Sequence, residues 1–512
     1  MKKHIIKIAS LFLLIFNASC DDYLDVNHDP NVLETTDEAK ILLPSAEVNL
    51  AHTLMGWDIG FGGGYWSQYW TQSYTASQFK TLCEYESGSS TSFGDAYEEF
   101  TAGVLIDTER IVELSEISGE TGYAYISEAL SIYTWQVMVD LWGNIPYFEA
   151  LKGSEGITSP VFDDGVDIYA DLETRIDALL ATDISTLSIV DEDFDFVFAG
   201  DLTKWELFAN SLKLKLMMRQ SETSGYNNAD VISFINSASF LTESAKIEGS
   251  KYWDDTQEEK RHPMREFEEG GAAYLSTNVI GCKTFIDYLD ANGDPRLDVL
   301  FTATGTAHEG AFFGDFNSKE DSDSDGTIDE DEDYSEALFA ADTDLMIISD
   351  WEINFFIAEA YARANDLVNA KTYYDLGVTA SLTQNGLDDT SIVTTGYATW
   401  VDGTTTEENI KQIAMQKWIA NANYQHGEAF IERNRTKYPS VNEINIKLDR
   451  QDASNNFPVG EFTISVNGRD RTNGNLPSSP VYPSDVLNRN INSPGQKANL
   501  LEKVWWDQKV GK

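Results

Sequence analysis

Two helix-patterned segments with a very short connection constrain the fold of this chain more than any other feature. Residues 348–364 and 370–382 carry apolar side chains at the three- and four-residue spacing of a helix, and Asn365-Asp366 between them is a turn signal. Two helices joined so closely pack antiparallel. Both contain small residues that allow a close approach, namely Ala358, Ala360, Ala362 and Gly377. The sequence therefore predicts a helical hairpin.

The other long segments share this helical periodicity. It recurs in residues 126–141, 205–219 and 410–430, whereas the best strand signal is the short alternation of 461–466. The close helix pair has tetratricopeptide-like geometry, although no repeat of about 34 residues runs along the chain. We therefore expect a mainly α fold, an α-α superhelix of such hairpins, with long aromatic-bearing loops and minor β structure.

Residues 1–19 have the layout of a secretory signal peptide. Lys2 and Lys3 precede an apolar run, 5–16, which is shorter than the roughly 20 residues that span a bilayer. The run leads through small residues to Cys20, and this ending resembles a bacterial lipobox, in which the cysteine is lipidated. The alternative is an ordinary signal and a chance cysteine. An acidic pair follows, resembling the surface-export signal of Bacteroidetes lipoproteins, and we expect residues 20–512 to form one tethered domain.

Acidic residues strongly outnumber basic ones. The 85 Asp and Glu against 36 Lys and Arg give a formal net charge of −49, which repels phosphate backbones and argues against a nucleic-acid partner. After Cys20 the chain has only Cys83 and Cys282, which make no disulfide framework, and their spacing leaves open whether they pair. No G-x-S-x-G or H-E-x-x-H motif is present, so we do not expect an enzyme.

Residues 321–332 fit the twelve-position calcium-binding loop. Gly326 permits the sharp turn at position six, and apolar Ile328 at position eight argues against the alternative of a solvated acidic loop. The flanking sequence lacks an EF-hand helix pair, so we expect a structural calcium ion that orders an insertion. The predicted ligands are Asp321, Asp323, Asp325, Thr327, Asp329 and Glu332.

Several phrases, in a fixed order, resemble those of the SusD/RagB-type outer-membrane lipoproteins. They cover most of the chain after the leader, and one departure is Asn434, where the family often has a second Arg. The phrases are DLWGNIPY at 140–147, the segment 200–214, DPRL at 294–297, IAEA at 357–360, QKW at 416–418, RNRTKYP at 433–439, YP at 482–483 and KVWWD at 503–507.

The resemblance implies tetratricopeptide-like helix pairs on one side and an irregular, ligand-facing half on the other. It also implies a cell-surface lipoprotein of the outer membrane, anchored through lipid alone. Such a protein binds nutrient oligosaccharides and delivers them to a SusC-like TonB-dependent transporter. A peptide-binding member of the same family and, less favoured, a cell-surface glycan hydrolase are the alternatives.

A sugar site requires exposed aromatic faces beside polar groups, and several loops supply both. The residues that we predict to bind ligand are Tyr65, Trp66, Tyr85, Tyr252 and Trp253. The four-residue spacing of Trp66, Trp70 and Tyr74 is that of a helix face, so a competing interpretation places those three in the core. The motif tryptophans are expected in the core as well: Trp142, Trp205, Trp418, Trp505 and Trp506.

We predict that the 321–332 loop binds calcium and prefers it to magnesium, because magnesium requires near-octahedral geometry. Binding to the folded state raises stability by about 2.7 kcal/mol at a hundredfold excess over Kd. Calorimetric titration of chelator-stripped protein should give a calcium heat that Asp323→Ala and Glu332→Ala reduce. No heat in the parent, or equal heat in both variants, would show that the loop is only a solvated acidic run.

Overall fold

The computed structural model describes residues 38–512, except 74, 75, 77, 258, 259, 266–276, 316–333 and 449. The signal segment with Cys20 and the predicted calcium loop 321–332 therefore lie outside the described residues. Among the residues that are described, no helix combines the length and the apolar character required to cross a bilayer.

Helices dominate the described part of the chain, as the sequence predicts. The long ones are α1 (Ala39–Met55), α2 (Ile106–Ser118), α3 (Thr121–Trp142), α4 (Gly165–Leu180), α5 (Leu202–Arg219), α6 (Asn228–Ser237), α7 (Lys283–Asn292), α8 (Asp350–Arg363), α9 (Leu367–Gln384), α10 (Thr406–Ala420) and α11 (His426–Thr436). Shorter α-helical segments include Gly62–Trp66, Lys80–Cys83, Gly94–Glu98, Gly249–Tyr252, Leu297–Leu300, Ser391–Thr394, Arg450–Asn455 and Ser484–Arg489.

Strands are short and pair in twos within the described residues. β1 (Trp70–Thr71) is antiparallel to β3 (Ile280–Gly281), and β2 (Ala245–Ile247) is antiparallel to β4 (Leu345–Ile348). β5 (Val441–Asn442) runs parallel to β6 (Phe462–Thr463). The mainly α prediction with minor β structure is confirmed.

Helices α8 and α9 form the antiparallel hairpin that the sequence predicts. Asn365 turns the chain with a φ of +58°, and the Asp366 side chain accepts a hydrogen bond from the backbone N–H of Asn369 at the start of α9. A Cβ atom on Gly377 would lie 2.8 Å from the ring of Phe355. The small residue is therefore required by the close approach of the two helices.

The segment 410–430 is not one helix, contrary to the sequence prediction. Helix α10 ends at Ala420 and α11 begins at His426. Between them Asn423 has a φ of +66°, a left-handed conformation that a right-handed helix does not accommodate. The helical spacing of Trp66 and Trp70 is also misleading, because the short helix ends at Trp66 and Trp70 lies in β1.

The strand predicted at 461–466 is reduced to its first half. Only Phe462–Thr463 pairs with a neighbouring strand. Val466 instead donates its N–H to the carbonyl of Phe313 at 3.0 Å, outside any regular sheet. The alternating pattern reflects burial of Phe462 and Ile464 rather than an extended ladder.

Helix α3 ends one residue after the segment 126–141, in which the sequence has helical periodicity. The helix stops at Trp142, and Gly143 follows with a φ of +80°, a conformation that favours glycine. The core prediction for the motif tryptophans is confirmed for four of them and not for the half-buried Trp505. The four buried ones are Trp142, Trp205, Trp418 and Trp506.

A buried network of ion pairs links helices α3, α5, α8, α10 and α11. Arg219 of α5 lies at its centre, with Nε 2.8 Å from Asp140 and Nη2 2.7 Å from Glu428. Arg435 of α11 contacts Glu359 of α8 at 2.6 Å. These side chains are at most 8% exposed, as are those of the remaining members, Lys215, Glu352, Lys417 and Glu432.

The cations of this network outweigh the effect of burial on two carboxyls. Burial by itself raises the pKa of Glu359, but Arg435 and Arg363 lower it to about 2. The pKa of Glu428 is likewise about 2, because the cations of α5 outweigh its burial. An acid whose pKa is lowered on folding from 4.5 stabilises the fold above that pH. This stabilisation is lost as the pH falls from 4.5 towards 2.

We predict that Glu359→Gln destabilises the protein at pH 7 by about 3–5 kcal/mol, because Arg435 is left without its full countercharge in the interior. The difference from the parent should shrink as the pH falls below 4.5, where the parent loses the same interaction. Urea unfolding at a series of pH values measures both effects. Asp470→Asn, at an exposed ion pair with Lys447, is the control and should change stability by less than about 1 kcal/mol. Equal losses in the two variants would contradict the role of the network.

A candidate ligand-binding cleft

A cleft of about 700 Å³ opens where three parts of the chain meet, and we call it the Trp57 cleft. The π-helical turn Trp57–Phe61 forms one wall. Residues between 79 and 98 form the second wall, and residues 483–485 form the third. Its lining residues are Trp57, Asp58, Phe79, Leu82, Ser89, Ser90, Ser92, Gly94, Asp95, Glu98, Pro483, Ser484 and Asp485.

Aromatic side chains form the apolar part of the cleft. The Trp57 ring is nearly parallel to that of Phe61, at 14° with centroids 5.2 Å apart, and its centroid is 4.6 Å from that of Phe79. Phe61 is buried and anchors the group, whereas Trp57 and Phe79 are half-buried and line the cleft. The packing holds both rings in place before any ligand arrives.

Carboxylates and hydroxyls surround these rings. Asp58 accepts a hydrogen bond from the backbone N–H of Ala96 at 3.0 Å, and burial raises the pKa of its carboxyl to about 6. The exposed carboxylates of Asp95 and Glu98 and the hydroxyls of the serine loop line the same space. The cleft therefore presents many hydrogen-bond acceptors beside an aromatic surface.

Three residues between 79 and 98, the second wall of the cleft, have left-handed backbone conformations. Phe79, Tyr85 and Phe93 have φ values of +56°, +55° and +52°, in the left-handed region that bulky residues rarely adopt. Such conformations cost about 1–3 kcal/mol each and cluster at functional sites. Two π-helical segments, Trp57–Phe61 and Glu99–Leu105, flank the strained stretch. Of these three outliers, Phe79 lines the Trp57 cleft itself.

Three of the predicted ligand residues lie in the core instead. Tyr65, Trp66 and Tyr85 are at most 3% exposed. Tyr65 donates its hydroxyl to the carbonyl of Asn278 at 2.5 Å, and Trp66 donates its Nε1–H to that of Leu82 at 3.1 Å. A ring that stacks on a sugar needs an open face, so burial corrects the prediction for these three. It agrees with the competing core interpretation of Trp66.

Tyr252 and Trp253 lie at a different place and do not line the Trp57 cleft. Both are half-buried. The Tyr252 ring stacks on Phe196, with centroids 4.4 Å apart, and that of Trp253 packs edge-on against His262 at 6.3 Å. Their role in binding stays a prediction.

Sequence reasoning missed Trp57, Phe79 and the serine loop. Trp57 begins the aromatic, glycine-rich stretch that drew attention to Tyr65 and Trp66, but the sequence does not show which rings of that stretch face outward. No periodicity signals that residues 483–485 fold back to close the cleft. The available sequence signal for this site was the Trp57-Asp58 pair, which follows helix α1 with only Gly56 between them.

The run Gly62-Gly63-Gly64 serves close packing. A Cβ atom on Gly62 would lie 2.3 Å from the Phe93 ring, and one on Gly63 would lie 2.6 Å from the backbone of His426. On Gly64 it would meet the ring of Trp70 at 2.7 Å. The run therefore lets the segment that carries Trp57 pack directly on α11.

Within the described residues, neither the cysteine thiols nor the metal-ligating side chains form a further candidate site. Cys83 and Cys282 are both buried free thiols, and burial raises the pKa of Cys282 to about 12. No group of three or more His, Cys, Asp or Glu in the described part of the chain has the arrangement of a metal site. The predicted calcium ligands lie outside that part.

Comparison with known proteins gives a family match over most of the chain. A model of the SusD-like family, described as "Starch-binding associating with outer membrane", matches residues 30–459. No curated protein matches the chain.

Solved structures share the fold at low sequence identity. A SusD homologue from Bacteroides uniformis is 21% identical, with a TM-score of 0.72 over 91% of this chain and 99% of that one. A chitin-binding SusD homologue from Flavobacterium johnsoniae is 17% identical, with a TM-score of 0.67 over 92% of this chain and 99% of that one. A SusD homologue from Bacteroides fragilis is 21% identical, with a TM-score of 0.65 over 93% and 100%.

We predict that Gly63→Ala destabilises the protein by about 1–3 kcal/mol, because its Cβ meets backbone that has no room to move. Gly88→Ala is the matched control: its Cβ meets nothing within 4 Å and its φ of −179° suits any residue. Thermal unfolding of both variants measures the difference. If Gly63→Ala is as stable as Gly88→Ala, the run is not a packing device.

Proposed function

We propose that this chain, which belongs to the SusD-like family, binds oligosaccharides at the cell surface in its Trp57 cleft and delivers them to a SusC-like TonB-dependent transporter. The family description names starch and the outer membrane. The similar protein from Flavobacterium johnsoniae is a chitin-binding homologue. The observation that carries the proposal is the fixed, half-exposed Trp57–Phe79 surface within a ring of carboxylates and hydroxyls.

The chemistry of a sugar suits this cleft. A pyranose ring presents C–H groups on its faces, which pack on Trp57 and Phe79, and hydroxyls at its edges, which donate to Asp58, Asp95 and Glu98. A volume of about 700 Å³ lies within the range of small-molecule sites. Because the cleft is open to the surface, it suits a ligand of two or more sugar units better than a single sugar that would be fully enclosed.

The acidic lining also bears on the alternatives. A peptide rich in basic residues would suit the carboxylates, although it would use the aromatic surface less fully. A hydrolase would need one carboxylic acid and one carboxylate flanking the scissile bond. Asp58, whose pKa is about 6, could serve as such an acid, so the binding experiment includes an assay for new reducing ends.

The anchor and the metal complete the proposal. Lipidation of Cys20 would hold the protein on the outer membrane, and the acidic pair after it would direct it to the cell surface. A calcium ion in the 321–332 loop would offset five carboxylates. Both rest on the sequence.

We predict that Trp57→Ala weakens oligosaccharide binding about tenfold or more. Removing the aromatic ring that stacks on the sugar costs about 1.4 kcal/mol of binding free energy, and this corresponds to a tenfold increase in Kd. Calorimetric titration with maltooligosaccharides and chitooligosaccharides measures it. Trp253→Ala tests the competing site, since it removes a half-buried tryptophan outside the cleft that the sequence predicts to bind ligand. The loss in Trp57→Ala should be the larger. Thermal unfolding of both variants checks that the fold is intact.

Three outcomes would contradict this assignment. A larger loss in Trp253→Ala than in Trp57→Ala would move the site to the residues that the sequence suggested. New reducing ends would identify a hydrolase. A peptide found by mass spectrometry in the purified protein, with no sugar binding, would favour the peptide-binding alternative.

A further inference from the structure

A second cleft, of about 460 Å³, lies on the helical side of the molecule, and we call it the α2–α4 cleft. Helices α2, α3 and α4 and residues 147–151 form its walls. None of the described residues that line it also lines the Trp57 cleft. The two clefts are therefore lined by separate sets of residues.

Three aromatic rings form the floor of the α2–α4 cleft in an edge-to-face series. The centroids of Trp135 and Tyr147 are 5.0 Å apart at 79°, and those of Tyr147 and Phe148 are 4.9 Å apart at 82°. Trp135 and Tyr147 are buried, but Phe148 is 45% exposed. Phe148 is therefore the ring of this series that a ligand can reach, and it packs against the buried ring of Tyr147.

The cation of this cleft is already neutralised. Arg175 forms a bidentate ion pair with Glu128: its Nε lies 2.7 Å from Oε1 and its Nη2 lies 2.8 Å from Oε2. It also donates to the Tyr147 hydroxyl at 2.9 Å, and that hydroxyl donates to Asp171 at 2.6 Å. Arg175 is therefore committed to the wall, and the cleft has no uncompensated positive charge to attract an anion among its described lining residues.

The rim is acidic. Glu109, Glu113 and Glu116 of α2 are exposed and line the cleft at helical spacing. Burial raises the pKa of Glu109, the like charges of Glu113 and Glu155 raise it further, and the charge of Lys152 lowers it. Glu113 also pairs with Arg110 at 2.9 Å, so the chain's own cations neutralise only part of the rim. A positive charge placed among these carboxylates would relieve their repulsion.

A second, separate observation points to a ligand. Ser127 of α3 lines the cleft, its side chain is fully buried, and its Oγ has no hydrogen-bond partner within the described residues. A buried hydroxyl without a partner costs free energy. An N–H donor that enters the cleft would satisfy it.

We propose that the α2–α4 cleft binds an extended segment of a partner protein that carries arginine or lysine beside apolar residues. The cation lies between the α2 carboxylates and the open face of Phe148, where a guanidinium gains both ion pairing and cation–π contact. The apolar neighbours pack on the aromatic floor. A partner segment fits better than a free oligosaccharide because the described lining residues of this cleft include no open serine loop like that of the Trp57 cleft. Its hydroxyls are buried or already bonded: Thr108 donates to the carbonyl of Leu105, and Ser131 accepts from Arg175.

The test uses the full chain and three fluorescently labelled peptides, which alternate leucine with arginine, with glutamine or with glutamate. The arginine peptide should bind, and added salt should weaken that binding. Glu109→Gln/Glu113→Gln and, separately, Phe148→Ala should each weaken it at least tenfold. Maltooligosaccharide titrations of the same variants should match the parent, and Trp57→Ala should leave peptide binding unchanged.

The charge-matched control is Glu192→Gln/Asp193→Asn, at exposed carboxylates that line neither cleft. Because the protein carries a net charge of −49, an equal loss in this control would show that the peptide binds by overall charge alone and would overturn the proposal. So would equal binding of the glutamine peptide. Loss of sugar binding in Phe148→Ala would make the cleft a second sugar site instead.

Discussion

Arg219 and Arg435 each hold carboxylates from more than one helix in the dry interior, and the rest of the structure depends on these contacts. Buried charges are tolerated only when their partners are in place, so a shift of any one helix would strand a charge. The interior is close-packed, and the ion pairs add directional contacts to that packing. Together they hold α3, α5, α8, α10 and α11 relative to one another.

The Trp57 cleft depends on this network through α11. The helix that supplies Glu428, Glu432 and Arg435 also begins with His426, whose Nδ1 lies 2.8 Å from the carbonyl oxygen of Gly60. Phe430 of the same helix packs on Trp66 with centroids 5.0 Å apart. The π-helical turn that presents Trp57 is therefore built on a helix whose own position the buried charges help to determine.

The phrases that carry the family resemblance are mostly parts of this interior. Asp140, Glu359, Lys417 and Arg435 come from four different phrases and meet in one network. Arg296 of the DPRL phrase is buried as well, and pairs with Asp294 at 2.6 Å. The resemblance therefore reflects residues that build the interior of the fold. Neither Trp57 nor Phe79 belongs to any of those phrases, which is why the family match does not by itself define the ligand.

The sequence alone determined the helical fold, the α8–α9 hairpin and the burial of four motif tryptophans, because helical periodicity, turn residues and small-residue spacing act over a few neighbouring positions. Only the tertiary structure decided which aromatics face outward. Tyr65 and Trp66 stand in the same stretch as Trp57, and their burial follows from contacts with Asn278 and Phe430, hundreds of positions away. The Trp57 cleft is likewise closed by residues 483–485. Contacts between residues so far apart in sequence leave no periodic signal, so the site emerged only once the chain was folded.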